Sequence, residues 1–180
     1  MIGQVEDAIV ARLKEQVTDL AAVLSYQGED IETLLGELSH QLPAVVVIFA
    51  GGPWTRSSDD TFHRMAAFQL VLMVENHRSE QARRRGAGSD VGAYTLLEGI
   101  ETALIGQDLG LEIDELTPTD TRNLYTEAGD GAGLSVWGLE VETGWEVCTA
   151  EEDAGDLTGL HADWTVDDHG ETTAQDTLDL

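Results

Sequence analysis

The side chains able to do chemistry are few and scattered. Of the five histidines, His161 and His169 come nearest to a ligand pair, eight residues apart among carboxylates. Metal sites need a compact donor set, and a solvated acidic segment is the plainer reading. Cys148 is the only cysteine, which excludes an intrachain disulfide and a cysteine-based zinc site. Its apolar and acidic neighbours do nothing to favour a thiolate. Ser135 lacks the G-x-S-x-G elbow that presents a nucleophilic serine. "GDGAG" at 129–133 precedes a strand pattern, whereas a phosphate-cradling loop follows a strand and opens a helix, so it reads as a turn. The expectation is a protein that is not an enzyme, with no cofactor and no metal.

The stretch "VLMVENHRSEQARRRGAGSD", residues 71–90, carries a different chemistry. It holds Arg78, Arg83, Arg84 and Arg85, four of only nine basic residues in a chain with thirty-five Asp and Glu. Guanidinium groups pair bidentately with carboxylates and stack on aromatic rings. Arg83, Arg84 and Arg85 are therefore candidates for contact with acidic residues of a second subunit or another protein. The plainer alternative is local pairing with Glu75, Glu80 and Asp90. Trp54 follows Gly51, Gly52 and Pro53 in a polar stretch, where a large aromatic marks a contact surface, while Trp137 sits in a strand pattern and reads as core.

The formal net charge of -26 limits the partners. Duplex DNA and anionic membranes would be repelled, so neither specific nucleic-acid binding nor membrane association is expected. The longest apolar run, Leu42 to Ala50, is well short of the roughly 20 residues of a membrane span. Charged residues near the N-terminus, Glu6, Asp7, Arg12, Lys14 and Glu15, are at odds with an export signal, and a cytoplasmic site is expected.

The elements that would position these residues follow from periodicity. Ile2, Val5, Ile9, Leu13 and Val17 make one helical stripe, with Glu6 and Asp7 expected in its first turn. A strand is expected near Ala22 to Tyr26 and a short helix over Ile31 to Ser39. "LPAVVVIFAGG" (42–52) reads as a central strand covered on both faces, and "FHRMAAFQLVLMVENH" as a second, with Phe68, Leu70, Leu72 and Val74 on one side. "PWTRSSDDT" between them is a polar loop compatible with a bulged hairpin. Ala93, Leu96, Leu97, Ile100 and Leu104 form the stripe of a second helix, with Ser89 and Asp90 as N-cap candidates and Gly106 closing it. "LEIDELTPTDTRNLY" and "LSVWGLEVETGWEV" read as the last strands. The expected fold class is α+β: a mostly antiparallel sheet of four to five strands with two main helices on one face.

Two regions are expected, an α+β domain over 1–149 and an acidic C-terminal extension over 150–180. The extension holds ten acidic side chains and no Lys or Arg, which leaves the domain twenty-five acids against nine bases. Such a segment has little apolar surface with which to order itself. Its Leu157, Leu160, Trp164 and Val166 suggest that it docks on its own domain or on a neighbour.

Several segments, in order along nearly the whole chain, carry a family likeness: "IGQVEDAIVARLK", "LPAVVVIFAGG", "ENHRSEQARRRG", "GAYTLLEGIETALIGQDLGL", "GLSVWGLEVET", "LHADWTV" and "DTLDL". Together they resemble the tail-terminator-like proteins of Mu-like phages and prophages, found among the contractile-tail genes. The resemblance implies a structural subunit of a homo-oligomeric ring, expected to be a hexamer, that caps the head-proximal end of the tail tube. Its partners would be other copies of itself, the tail tube protein and a neck or head-completion protein. Its places would be the host cytoplasm during assembly and then the virion tail. Some carboxylates of the domain would line a lumen through which DNA slides, and the long strands Arg64 to Glu75 or Leu134 to Val147 would offer edges for pairing with a neighbour. Alternatives are another head-tail joining or tail-completion protein, an acidic DNA-mimic inhibitor, and a hydrolase.

Overall fold

The computed structural model describes residues 1–28, 38, 40–75, 80–86, 91–124, 134–149, 159–165 and 172–179. The chain divides into two compact units, Met1–Cys148 and Thr149–Leu180. The first is an α+β unit. Helix α1 (Ile2–Gln16) forms because its apolar residues recur every three or four positions, and that stripe buries Val5, Ile9 and Leu13 completely. The helix starts at Ile2, so Glu6 and Asp7 fall in the second turn, not the first as expected. Glu6 instead accepts a hydrogen bond from Ser25 Oγ at 2.7 Å, tying α1 to strand β1 (Ala22–Ser25).

Strand β1 runs parallel to β2 (Ala44–Gly51), in register from Ala22 opposite Ala44 to Ser25 opposite Val47. The segment expected as a helix over 31–39 lies outside the described residues apart from Leu38, which is buried with Ala22, Ala44, Val46 and Met73. Strand β4 (Thr61–Glu75) pairs with β2 on one side and, along all fifteen residues, with β6 (Leu134–Cys148) on the other. Strand β5 (Thr117–Asn123) closes the far edge on β6. The three residues of β3 (Trp54–Arg56), from the expected polar loop, pair with Phe62 to Arg64. They bring the sheet to six strands, in the order β1-β2-β4-β6-β5 with β3 on β4. Among the described residues of this sheet, β1 and β2 run parallel and the other pairs antiparallel.

This topology corrects one expectation. The two long strands are not open edges along their length; they pair with each other from Thr61 opposite Cys148 to Glu75 opposite Leu134. The sheet path ends at β1 and β5 instead. Strand β5 is a poor template for addition, because Pro118 cannot donate, a bulge follows it, and Asp120 and Arg122 pair at 3.3 Å on its surface.

One sheet face carries the main core: Val45 and Val47 of β2, Phe68, Leu70, Leu72 and Val74 of β4, and Leu139 and Val141 of β6. It is covered by α1 and by α3 (Ala93–Leu104), whose Leu96, Ile100 and Leu104 are at most 1% exposed. Each such side chain contributes about 1.5–3 kcal/mol through its burial. Gly92 is the N-cap of α3, in place of the expected Ser89 or Asp90, which lie outside the described residues. Gly106, at φ 72, takes the left-handed turn after it as expected. Leu111 to Leu116, expected as strand, form a closed loop: Leu116 N–H donates to Gln107 O and Gly106 N–H to Leu116 O, both at 2.9 Å. Those bonds bury Leu116 and delay the strand to Thr117.

The second unit contains an antiparallel hairpin, β7 (Gly159–Thr165) with β8 (Thr172–Asp179), in register from Gly159 opposite Asp179. Nothing in the composition of this acidic segment signals that it would pair with itself. Strand pairing satisfies backbone groups without a large apolar core, which is the part of folding that composition does not report.

Candidate functional site

The three arginines of the basic cluster form the second half of a six-residue helix, α2 (Glu80–Arg85). Arg84 is half-buried and Arg85 is exposed, while Arg78 lies outside the described residues. The helix ends hard against the start of α3. A Cβ on Gly92 would fall onto the backbone of Gly86, Arg85 and Arg84, 2.5 Å from the carbonyl oxygen of Arg84. Gly92 has φ -88, so the need for glycine is steric rather than conformational. The close approach fixes the arginine backbone relative to the helical layer.

Trp54 lies elsewhere. It pairs with Arg64, eleven residues before Glu75 at the other end of β4, which is roughly 35 Å along the strand. The two predicted contact regions are therefore not brought together. Trp54 belongs to an arm. Strand β2 leaves β4 at Ala67 and β5 leaves β6 at Glu142, so among the described residues Thr61 to Ala66 and Thr143 to Cys148 continue with β3 beside β4 and the loop at Asp114, whose N–H donates to Gly144 O at 2.7 Å, beside β6.

Alternation gives this arm two unlike faces. On the first, Trp54, Arg64 and Trp145 stand side by side across three strands. The Arg64 guanidinium lies 4.7 Å from the Trp54 ring centre, 5.6 Å from Phe49 and 5.7 Å from Trp145. Trp145 is 7% exposed and Trp54 50%, so the cation is floored by core and lidded by a half-open indole. Its buried Nε has no hydrogen-bond partner. One step along, Arg56 sits 5.3 Å over Phe62 and 3.9 Å from Asp59 at the exposed tip. Arg56 and Arg64 are thus both presented on aromatic rings, a placement worth about 0.5–1 kcal/mol at exposed sites. Sequence reading missed Arg64, although stepping back by twos from Phe68 reaches it: an arginine in phase with the core face was the signal.

The second face is acidic. His63 lies between Asp114, 3.3 Å from Nε2, and Glu146, 3.4 Å from Nδ1, and Ser57 Oγ donates to Glu146 at 3.2 Å. Gly144 makes room for it, since a Cβ there would stand 2.8 Å from both His63 Cε1 and Asp114 Oδ2. Farther along the same face of β6 come Glu142 and Glu140, both half-buried, with Thr119 Oγ1 donating to Glu140 at 3.0 Å. Nothing in this grouping resembles a nucleophile with its base. Trp137 Nε1 donates to Ser135 Oγ at 2.9 Å, and Cys148 is exposed at the end of the arm. Among the described residues no cluster of three or more His, Cys, Asp or Glu side chains is set to hold a metal ion. No helix among them is long and apolar enough to cross a membrane. The arrangement presents charge and aromatic surface, which is the chemistry of contact.

No curated protein matches the chain. Among solved structures, the fold is similar to that of a chain in the virion of a native gene transfer agent particle. The TM-score is 0.50 and the identity 12%, over 79% of this chain and 94% of that one. The model of the family described as Bacteriophage Mu, Gp37 matches residues 1–147, essentially the whole first unit, and the chain belongs to that family.

Proposed function

We propose that the chain is a non-catalytic structural protein of a phage-type tail, the terminator that forms a ring, sixfold, on the head-proximal end of the tail tube. There it stops tube growth and offers a surface to the neck. The observation that carries this reading is the Mu Gp37 family match across residues 1–147. A fold shared with a chain of a gene transfer agent virion supports it. So does an arm whose two faces differ in charge, since a ring of identical subunits joins one surface patch to a different patch on the next copy. Its partners are other copies of itself, the tail tube protein and a neck component. It works first in the host cytoplasm and then in the virion.

The acidity has a use in such a ring. Duplex DNA sliding through a lumen must not stick, and carboxylates repel phosphate over the roughly 8 Å that physiological salt allows. Native mass spectrometry of the purified chain, alone and with tail tubes, tests the reading. Six-copy assemblies located at one tube end by electron microscopy are the expected result. A chain that stays monomeric in both settings overturns it, and attachment to a neck ring instead of the tube redirects it to another joining protein.

A further inference from the structure

We propose that the face of the arm carrying Trp54, Arg56 and Arg64 docks on the acidic sheet face, at Glu140 and Glu142, of a second copy of this chain. The inference rests on the ring reading and names its contact. Four observations carry it.

The first is chemical. In a chain of net charge -26, two of the nine basic groups are displayed together on aromatic rings beside a half-exposed tryptophan. Trp and Arg are the residues that most often anchor interfaces, because each contributes a large contact area with a directional polar group. The second concerns Arg64. Its Nε is buried without an acceptor, and among the described residues no carboxylate pairs with its guanidinium. An incoming carboxylate supplies the missing anion next to the lid that Trp54 forms.

The third is spacing. Arg56 stands diagonally across from Arg64 on the paired strands β3 and β4, about 7 Å away. Glu140 and Glu142, two residues apart on one face of β6, are also about 7 Å apart. Two cations and two anions thus repeat at one interval. Both carboxylates are half-buried, so their pairing would be screened less than that of the fully exposed acids.

The fourth is geometric. The basic face and the acidic face are opposite sides of one sheet. A copy seated on one side cannot reach the other, which stays open for a third copy. The contact is therefore head-to-tail, and it propagates until a rotation closes it.

Two double variants test this. One removes the more exposed basic anchors (Trp54→Ala with Arg56→Ala), leaving the packing of Arg64 on Phe49 and Trp145 in place. The other reverses the acidic face (Glu140→Lys with Glu142→Lys). Circular dichroism and melting of the monomers establish that each is folded. Native mass spectrometry, with and without tail tubes, then reads association. Each variant alone should associate at least about thirty-fold more weakly than wild type, the loss typical of truncating an interface anchor. Mixed in equal amounts, they should form a two-chain complex and nothing larger, because one competent contact survives between them. Variants that assemble like wild type, or a mixture that stays monomeric, overturn the proposed contact and leave the ring reading standing. Wild type that never assembles overturns the ring reading and this contact with it. Wild type that stops at two copies refutes head-to-tail propagation.

Discussion

Arg64→Met separates a residue kept for folding from one kept for contact. The guanidinium has three aromatic neighbours, of which Trp54 at 4.7 Å is the closest and the most exposed. Losing those stacking interactions costs about 1–2 kcal/mol in total, since only part of the site is shielded from water. Two gains oppose that loss. Removing a buried N–H with no acceptor relieves about 1–3 kcal/mol. A methionine thioether among the same rings recovers about 0.3–1.5 kcal/mol and fills most of the volume of the arginine stem. The monomer should therefore lie between about 0.7 kcal/mol less stable and about 3.5 kcal/mol more stable than wild type, a melting shift between about -2 and +10 °C for a unit of this size. Arg64→Ala keeps the relief but leaves a hole under Trp54 and beside Trp145, and should cost about 2 kcal/mol. Differential scanning calorimetry of both variants reads the difference, and native mass spectrometry reads assembly. Assembly should weaken in both, including the stable Met variant. A Met variant that melts more than about 4 °C below wild type would show that the cation itself holds the arm together, and the reasoning would fail.

Gly92→Ala should destabilise the unit by about 2–4 kcal/mol, because the added methyl meets backbone atoms of residues 84–86, which cannot rotate away. A drop of roughly 5–15 °C in thermal melting is the expected reading. Gly52→Ala places a Cβ 2.7 Å from the Met65 carbonyl carbon at a φ of 156, and should release β3 from β4. Near-ultraviolet circular dichroism should then show Trp54 leaving its ordered site, with far-ultraviolet helix content unchanged. Gly144→Ala should push His63 off its two carboxylates at a cost of about 1–3 kcal/mol, read by chemical denaturation.

Much of the framework was legible in the sequence because single-element periodicity wrote it. The stripes of α1 and α3, the alternation of β4 and β6 and the unbroken apolar run of β2 each reflect how one element is buried, and such patterns survive reading by themselves. What escaped depends on pairs of distant residues. Strand β3 is three residues long and exists because Trp54 to Arg56 lie in register with Phe62 to Arg64. The loop over 107–116 is closed by the backbone bonds from Leu116 to Gln107 and from Gly106 to Leu116, which composition does not encode. Gly92 is required by the backbone of residues 84–86, and nothing within its own helix announces that. The candidate site shows the same division. The arginine run and Trp54 stood out as types, but the grouping of Trp54 with Arg64, Phe49 and Trp145 comes from four strands meeting.

A net charge of -26 opposes self-association as a total, yet the length over which it acts decides the matter. At physiological salt a charge is felt over roughly 8 Å, much less than the 35 Å or so between Trp54 and the far end of β4. Two copies therefore respond to the charges on the faces they bring together and hardly at all to the total. The face with Arg56, Arg64 and Trp54 and the face with Glu140 and Glu142 meet as opposites, whereas two acidic faces repel at the same range. Acidity elsewhere on the chain then works as a selector: it leaves strong repulsion wherever copies approach in the wrong orientation, and attraction only where the arm finds the acidic side of its neighbour. A strongly anionic subunit with a few arginines held on aromatic rings is, by that argument, better suited to a single defined contact than a neutral one would be.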